Sequence, residues 1–227
     1  MNIEEKIKNC EINFKRIKQY EPEPFYVEHF FNEYINSVND VYSGIFEEAN
    51  RDFGLFLIGK CSQRRFDEKA KIKNDQNAIK FSEWYTKKFN QEHEKSYPNF
   101  IKKICQFKNK FQKIPEIKIM IRATERYKDD INQEIKVNLT NRKICSKEEL
   151  DIEIKRQLPI FLEIINQKRN KKNEPKVNEN QVSVSTFLEI ETHKDVEIGY
   201  AVEIYIYVLK RLVEESRIKI KELTTWK

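Results

Sequence analysis

The chain has 227 residues, 39% of them hydrophobic, 12% aromatic and 35% charged, with a formal net charge of +6. This composition fits a soluble globular protein with enough bulk for a core. It excludes a membrane span, because no run approaches about 18 apolar residues. The positive excess is modest: it permits a nucleic acid or acidic surface as partner without requiring one.

Residues 3 to 20 carry Ile3, Ile7, Cys10, Phe14 and Ile17 at helical spacing, and the two prolines of Glu21–Pro24 end that helix. From Pro24, suited to a first helical turn, a long helix is predicted to about Phe56. Val27, Phe30, Phe31, Tyr34, Ile35, Val38, Val41, Tyr42 and Ile45 form its apolar stripe. Asn32, Asn36 and Asn39 interrupt that stripe, either as cross-links to neighbouring helices or as solvated groups. Gly44 suits a close helix approach, and Gly54 or Gly59 a termination. The first half of Lys60–Lys88 reads as a hydrated connection or charged helical end. Asp75 is placed to cap a helix to about Ser96 that buries Ala78, Phe81, Trp84, Tyr85 and Phe89. Pro98 allows a new start, followed by a seam of Phe100, Ile104, Phe107, Phe111 and Ile114.

After Pro115 the period changes to two. Ile117, Ile119 and Ile121, then Ile135, Val137 and Leu139, alternate with polar neighbours and predict two strands. Ser146 and Glu149 make a capping box for a helix carrying Leu150, Ile154, Leu158, Phe161, Leu162 and Ile165, with Pro159 inside to bend or split it. The charged, Asn-rich stretch of about 168–181 reads as a mobile excursion, and Val182, Val184, Leu188 and Ile190 as a third strand, with a helix as the alternative after Ser185. A last helix from about Asp195 to Lys221 has two adjacent apolar lines: Ala201, Tyr205, Val208, Leu212, and Val202, Ile206, Leu209, Val213. That width implies a central bundle position or a subunit interface. The expected fold is mainly α: one helical-bundle domain over 1–227, with a β-hairpin insertion at about 116–141.

Chemistry leaves few local traces. Cys10, Cys61, Cys105 and Cys145 stand far apart, and Met1–Cys10 has no apolar signal-peptide core, so a cytoplasmic protein with free thiols is expected. The isolated cysteines and His29, His93 and His193 give no metal-ligand spacing, and no Walker A loop, dinucleotide fingerprint, HExxH helix or nucleophile elbow is present. No metal or cofactor is expected. Glu47 and Arg51 are spaced to pair on a helix, and Glu48 and Asp52 could together meet a cation, although solvation is the simpler reading. His29 reads as a capping or partly buried ring, His93 as exposed.

The aromatic-rich helix after a proline turn at Phe25–Phe56, the Phe81-Ser82-Glu83-Trp84-Tyr85 helix and the helix of Phe100–Phe111 ending in a basic-Asn pair resemble the HEPN superfamily of helical-bundle proteins. The likeness covers about half the chain. Many members of that family are metal-independent ribonucleases, often dimeric, with an Arg-polar-x-x-x-His signature on the later helix. The matching stretch is Lys108-Asn109-Lys110-Phe111-Gln112-Lys113, with lysine for the arginine and no histidine. Lys88–His93 keeps the spacing and the histidine but has Lys88 for arginine and Phe89 in the polar place. The resemblance therefore implies a non-catalytic relative used for binding or assembly, because lysine at its usual pKa of about 10.4 is a poor neutral-pH base.

Basic clusters give a second lead. Residues 60–88 hold nine basic and four acidic residues, 100–118 six and one, and 168–176 five and one. If Arg64 and Arg65 lie beside Lys102, Lys103, Lys108, Lys110 and Lys113, a phosphate backbone could bind there, with Tyr85, Tyr97 or Tyr127 stacking bases. The leading expectation is a non-enzymatic protein that associates with itself as a homodimer or with another protein, with no membrane partner. A divergent metal-independent ribonuclease using Lys108, Asn109, Lys88 or His93 and a plain RNA- or DNA-binding module are the alternatives.

Overall fold

The computed structural model describes residues 2–125, 133–138 and 144–225. The elements run α1 (Ile3–Tyr20), α2 (Pro24–Asp52), α3 (Gln63–Ile72), α4 (Gln76–Glu92), α5 (Ser96–Phe111), β1 (Lys118–Glu125), β2 (Gln133–Asn138), α6 (Lys147–Asn170), β3 (Val182–Ile190), β4 (His193–Glu197) and α7 (Ile198–Thr224). The protein is thus mainly α with a small antiparallel sheet. The chain forms two compact units, one of residues 1–15, 31–114 and 200–227, the other of 16–30 and 115–199.

In the first unit the apolar stripe of α2 supplies the centre. Phe31, Tyr34, Ile35, Val38, Val41 and Ile45 are all buried. Gly44 lets α1 come close: a Cβ there would stand 3.1 Å from Ile3 Cγ1 and 3.2 Å from Lys6 Cδ. Both apolar lines of α7 are buried within this unit, from Ala201 and Val202 through Leu212 and Val213. The width of that stripe is therefore consumed by a central position in the chain's own bundle. Phe46, Phe53, Phe66, Phe81 and Tyr85 interlock with ring centroids between 4.8 and 6.4 Å apart, mostly edge to face.

Asp75 caps α4 as expected, its Oδ1 accepting from the Asn77 and Ala78 amides at 3.1 and 3.0 Å. The helix ends at Glu92 rather than near Ser96, and α5 starts at Ser96 with Pro98 in its first turn. The stretch read as a hydrated connection or a charged helical end is helical, as α3, capped by Ser62 and buried only at Phe66 and Ala70. Two apolar anchors among charges are too few to show periodicity. Gly54 and Gly59, at φ +66° and +79°, shape the loop between α2 and α3. Arg51 pairs with Asp52 rather than Glu47; Glu47 goes to Lys6 and Glu48 to Arg217, so these carboxylates neutralise cations of the protein itself.

The second unit is built on a four-stranded antiparallel sheet of order β2-β1-β3-β4. β4 was not foreseen; it follows a turn at Glu191, whose φ of 50° is left-handed. Ile119, Ile121 and Ala123 of β1 pack with Leu150, Phe161 and Ile165 of α6 in one core. Ser146 Oγ accepts from the Glu149 amide at 3.2 Å, the forward half of the box, while the Glu149 carboxylate reaches one residue beyond the cap and its Oε2 accepts from the Cys145 amide at 3.0 Å. α6 continues through Pro159 without splitting. Beyond it, Asn166 brackets Val177, accepting from its amide at 2.7 Å and donating to its carbonyl at 3.1 Å. Thr186 donates from its amide and hydroxyl to Glu21 Oε1, at 3.2 and 2.9 Å.

Candidate binding cleft

An open cleft of about 770 Å³ lies in the first unit, within the size range of ligand sites. Its lining brings Asn36 and Asn39 of α2 together with Gln63 of α3 and Asn109 of α5, over Tyr42, Phe46, Tyr85 and Phe89. The three asparagines that break the α2 stripe divide their work. Asn32 is a cross-link: Lys108 Nζ donates to its carbonyl at 3.0 Å and to its Oδ1. Asn36 and Asn39, a turn and two turns further on, face the cleft. Carboxamides carry two donors and an acceptor with two lone pairs each, so this wall offers hydrogen bonds of both kinds without net charge. Glu33 and Asp40 complete the rim, and Asp40 is paired with Lys60 at 3.0 Å.

Around Lys108, burial lowers the ammonium pKa, while the nearby Glu33 charge raises it. Its charge is spent on Asn32, whereas Asn109, the next residue, turns to the cleft. Lys113, where the resemblance would place a base, is exposed and outside α5, which ends at a left-handed Gln112 with φ 57°. A proton-transfer group is thus not presented beside Asn109 by that stretch.

The second candidate pair is also structural. Lys88 Nζ lies 2.7 Å from Glu215 and 3.2 Å from Glu92, bonds that raise its pKa. His93 is 2% exposed, contrary to the expectation of an exposed ring. As the C-cap of α4 it is turned inward, where α7 supplies a partner. Its Nδ1 is 2.6 Å from the Phe89 carbonyl and its Nε2 2.5 Å from the Tyr205 hydroxyl. A carbonyl oxygen can only accept, so Nδ1 carries the proton and Nε2 accepts from Tyr205. Tyr205 then accepts from the Tyr42 hydroxyl, closing a directional chain. Burial pushes His93 down to about 4, which keeps it neutral. His29, by contrast, is exposed beside Phe30 rather than capping or partly buried.

The basic candidates have separate local tasks. Arg64 pairs with Glu68 at 2.9 Å, and the Arg65 guanidinium donates to the carbonyls of Lys60 and Ile58 at 2.6 and 2.9 Å. Lys102 donates to Asn90 at 3.3 Å and stands 5.4 Å from the Phe89 ring centroid. Lys110 lies 5.0 Å from the Phe111 ring, and Lys103 is half-buried. Tyr85 is buried and Tyr97 packs on Tyr200 at 5.0 Å, whereas Tyr127 lies outside the described residues. Cys10, Cys61 and Cys105 are buried free thiols and Cys145 is exposed. Among the described residues no group of His, Cys, Asp and Glu is placed to hold a metal, and no helix is long and apolar enough to cross a membrane. The cleft residues Asn36, Asn39 and Gln63 had one legible signal, the polar interruptions at Asn36 and Asn39 in an otherwise apolar helix.

No family model matches the chain, and neither a curated protein nor a solved structure is similar to it.

Proposed function

We propose that this chain is a non-catalytic binding protein whose cleft between α2, α4 and α5 takes an extended segment of a protein partner. The observation that carries the reading is the wall of four carboxamides, from Asn36, Asn39, Gln63 and Asn109, above aromatic rings. Carboxamides match the alternating donors and acceptors of a peptide backbone, and the rings give its side chains an apolar floor. None of the described lining residues is a histidine or cysteine, and Asp40 is neutralised by Lys60. The departures from the HEPN signature at Lys108 and Lys113 agree with binding rather than cleavage.

A nucleic-acid reading has one observation in its favour: Lys102 stands beside Phe89, a ring of the cleft wall. Glu33 on the rim opposes a phosphate backbone there, so the protein reading ranks first. The test is selection of a displayed library of random 12-residue peptides on the full chain, then anisotropy with the enriched peptide and with a 20-nucleotide oligouridine. The expected result is a micromolar peptide complex that Asn36→Ala with Asn109→Ala weakens about tenfold, the loss of one to two hydrogen bonds. Peptide binding indifferent to both substitutions, or tight oligouridine binding without peptide enrichment, would overturn it. Metal-free cleavage of mixed RNA abolished by Lys108→Ala would restore the ribonuclease alternative.

A further inference from the structure

The loop between α2 and α3, Gly54-Leu55-Phe56-Leu57-Ile58-Gly59, is apolar from end to end, where a surface connection is ordinarily polar. Leu55 is buried and Leu57 half-buried, but Ile58 is 88% and Phe56 80% exposed. Ile72, the last residue of α3, is 79% exposed. These are the three most exposed large apolar side chains among the described residues. Lys73, next to Ile72, ties the end of α3 to the loop by donating to the Gly54 carbonyl at 2.8 Å. Single exposed apolar residues need no explanation, but three on one edge mark a contact surface.

The loop is held in shape. Asn50 brackets Leu57, accepting from its amide at 2.9 Å and donating to its carbonyl at 3.2 Å. Arg65 fixes the Ile58 carbonyl at 2.9 Å, as Lys73 fixes that of Gly54. Between these anchors Phe56 has a φ of 59°, a left-handed backbone that a bulky residue rarely adopts. Its ring recovers little of that strain by burial, so the strain serves exposure rather than packing.

The charges say what meets this edge. Residues 54–73 hold six basic and two acidic side chains. Lys60 is matched by Asp40 and Arg64 by Glu68, while Asp67 is engaged with Ser82 of α4. Arg65 and Lys73, one at each end of the loop, are bonded to carbonyls, which leave their charge uncancelled; Lys71 is exposed beside them in sequence. Apolar tips framed by cations suit a surface that is negative on top and oily beneath, a bilayer with anionic lipid. A stable protein interface buries about 800 Å² on each side, more than two or three side chains supply. Isoleucine offers a base no ring to stack on, and Lys73 stands over one face of Phe56, 4.6 Å from its centroid.

We propose that the 54–59 loop is a membrane-docking tip, which sets Phe56 and Ile58 among the headgroups of an anionic phospholipid bilayer while Arg65, Lys71 and Lys73 meet lipid phosphates. The lack of an apolar run of spanning length bears on crossing a bilayer; contact at its surface needs none. The proposal is independent of the cleft, because none of these five residues lines it.

Co-sedimentation of the full chain with vesicles is the test, using phosphatidylcholine alone and phosphatidylcholine with about 30% phosphatidylserine, at about 50 mM salt. Far-UV circular dichroism shows that each variant remains folded. The wild-type chain should bind the anionic vesicles at least about tenfold more tightly than the neutral ones, and about 300 mM salt should release it. Phe56→Asn with Ile58→Ser should weaken binding more than about tenfold; asparagine accepts a left-handed backbone, so the loop keeps its shape. Lys71→Gln should weaken it about fivefold, the share of one basic residue near an anionic surface. No binding to anionic vesicles, equal binding to both kinds, or binding indifferent to the Phe56 and Ile58 substitutions would each overturn the proposal. Oligouridine binding lost with the same pair would assign the tip to nucleic acid, and a dimer dissolved by that pair in sedimentation velocity would assign it to a second copy; either result overturns it.

Discussion

Replacing His93 by glutamine tests whether a buried neutral imidazole couples this fold to pH. In the folded protein burial holds His93 down to about 4 against a usual value of 6.5. Between those values the unfolded chain binds a proton that the folded chain refuses, so stability falls as pH falls through the window and is fully present above about 6.5. At about 1.4 kcal/mol per pKa unit the whole shift is worth roughly 3 kcal/mol, most of it lost between about pH 7.5 and pH 4.5. Glu21 acts with the opposite sign: burial raises its carboxyl, so acid favours its folded form. Because wild-type and His93→Gln chains share Glu21, the difference between their pH profiles isolates the histidine. Urea midpoints followed by Trp84 fluorescence, at both pH values, give that difference. Glutamine can still accept from Tyr205 but takes up no proton, so its stability should fall by about 2 kcal/mol less on acidification than that of the wild-type chain. Parallel profiles for the two chains would refute the neutral, acceptor role assigned to Nε2.

Two further outcomes follow from single contacts. Asn32→Ala leaves the half-buried Lys108 ammonium short of an acceptor and should cost about 1–3 kcal/mol, whereas adding Lys108→Met should recover most of that loss; a urea double-mutant cycle showing simple additivity would mean the two do not interact. Asp75→Ala removes the acceptor for two amides of α4 and should lower stability by about 1 kcal/mol, read as a lower thermal midpoint.

Local signals foretold most of the elements. The α2 stripe, the Asp75 and Ser146 caps and the period-two runs of β1 and β2 each rest on residues within a few positions of one another, and all became the elements they indicate. α3 and β4 did not declare themselves, because α3 buries two side chains and β4 spans five residues, His193–Glu197. The cleft was less legible still. Asn36 and Asn109 are separated by α3 and α4, and nothing near either residue states that folding brings them to one wall. His93 shows the same limit from the other side: its neighbours Glu92 and Glu94 argue for solvent, but Tyr205, 112 positions away, decides its burial.

The first unit draws on both ends of the sequence. Arg217 joins Glu4 across 213 positions, and Tyr205 reaches back 163 positions to Tyr42. On the ribosome, α2 and the aromatic side chains of α3 and α4 emerge long before the helix that covers them. Their oily surface must wait, open to chaperones or to other nascent chains, until α7 has cleared the exit tunnel. Synthesis halted anywhere before Tyr200 would therefore release a polypeptide whose bundle lacks its central rod, a natural substrate for proteolysis.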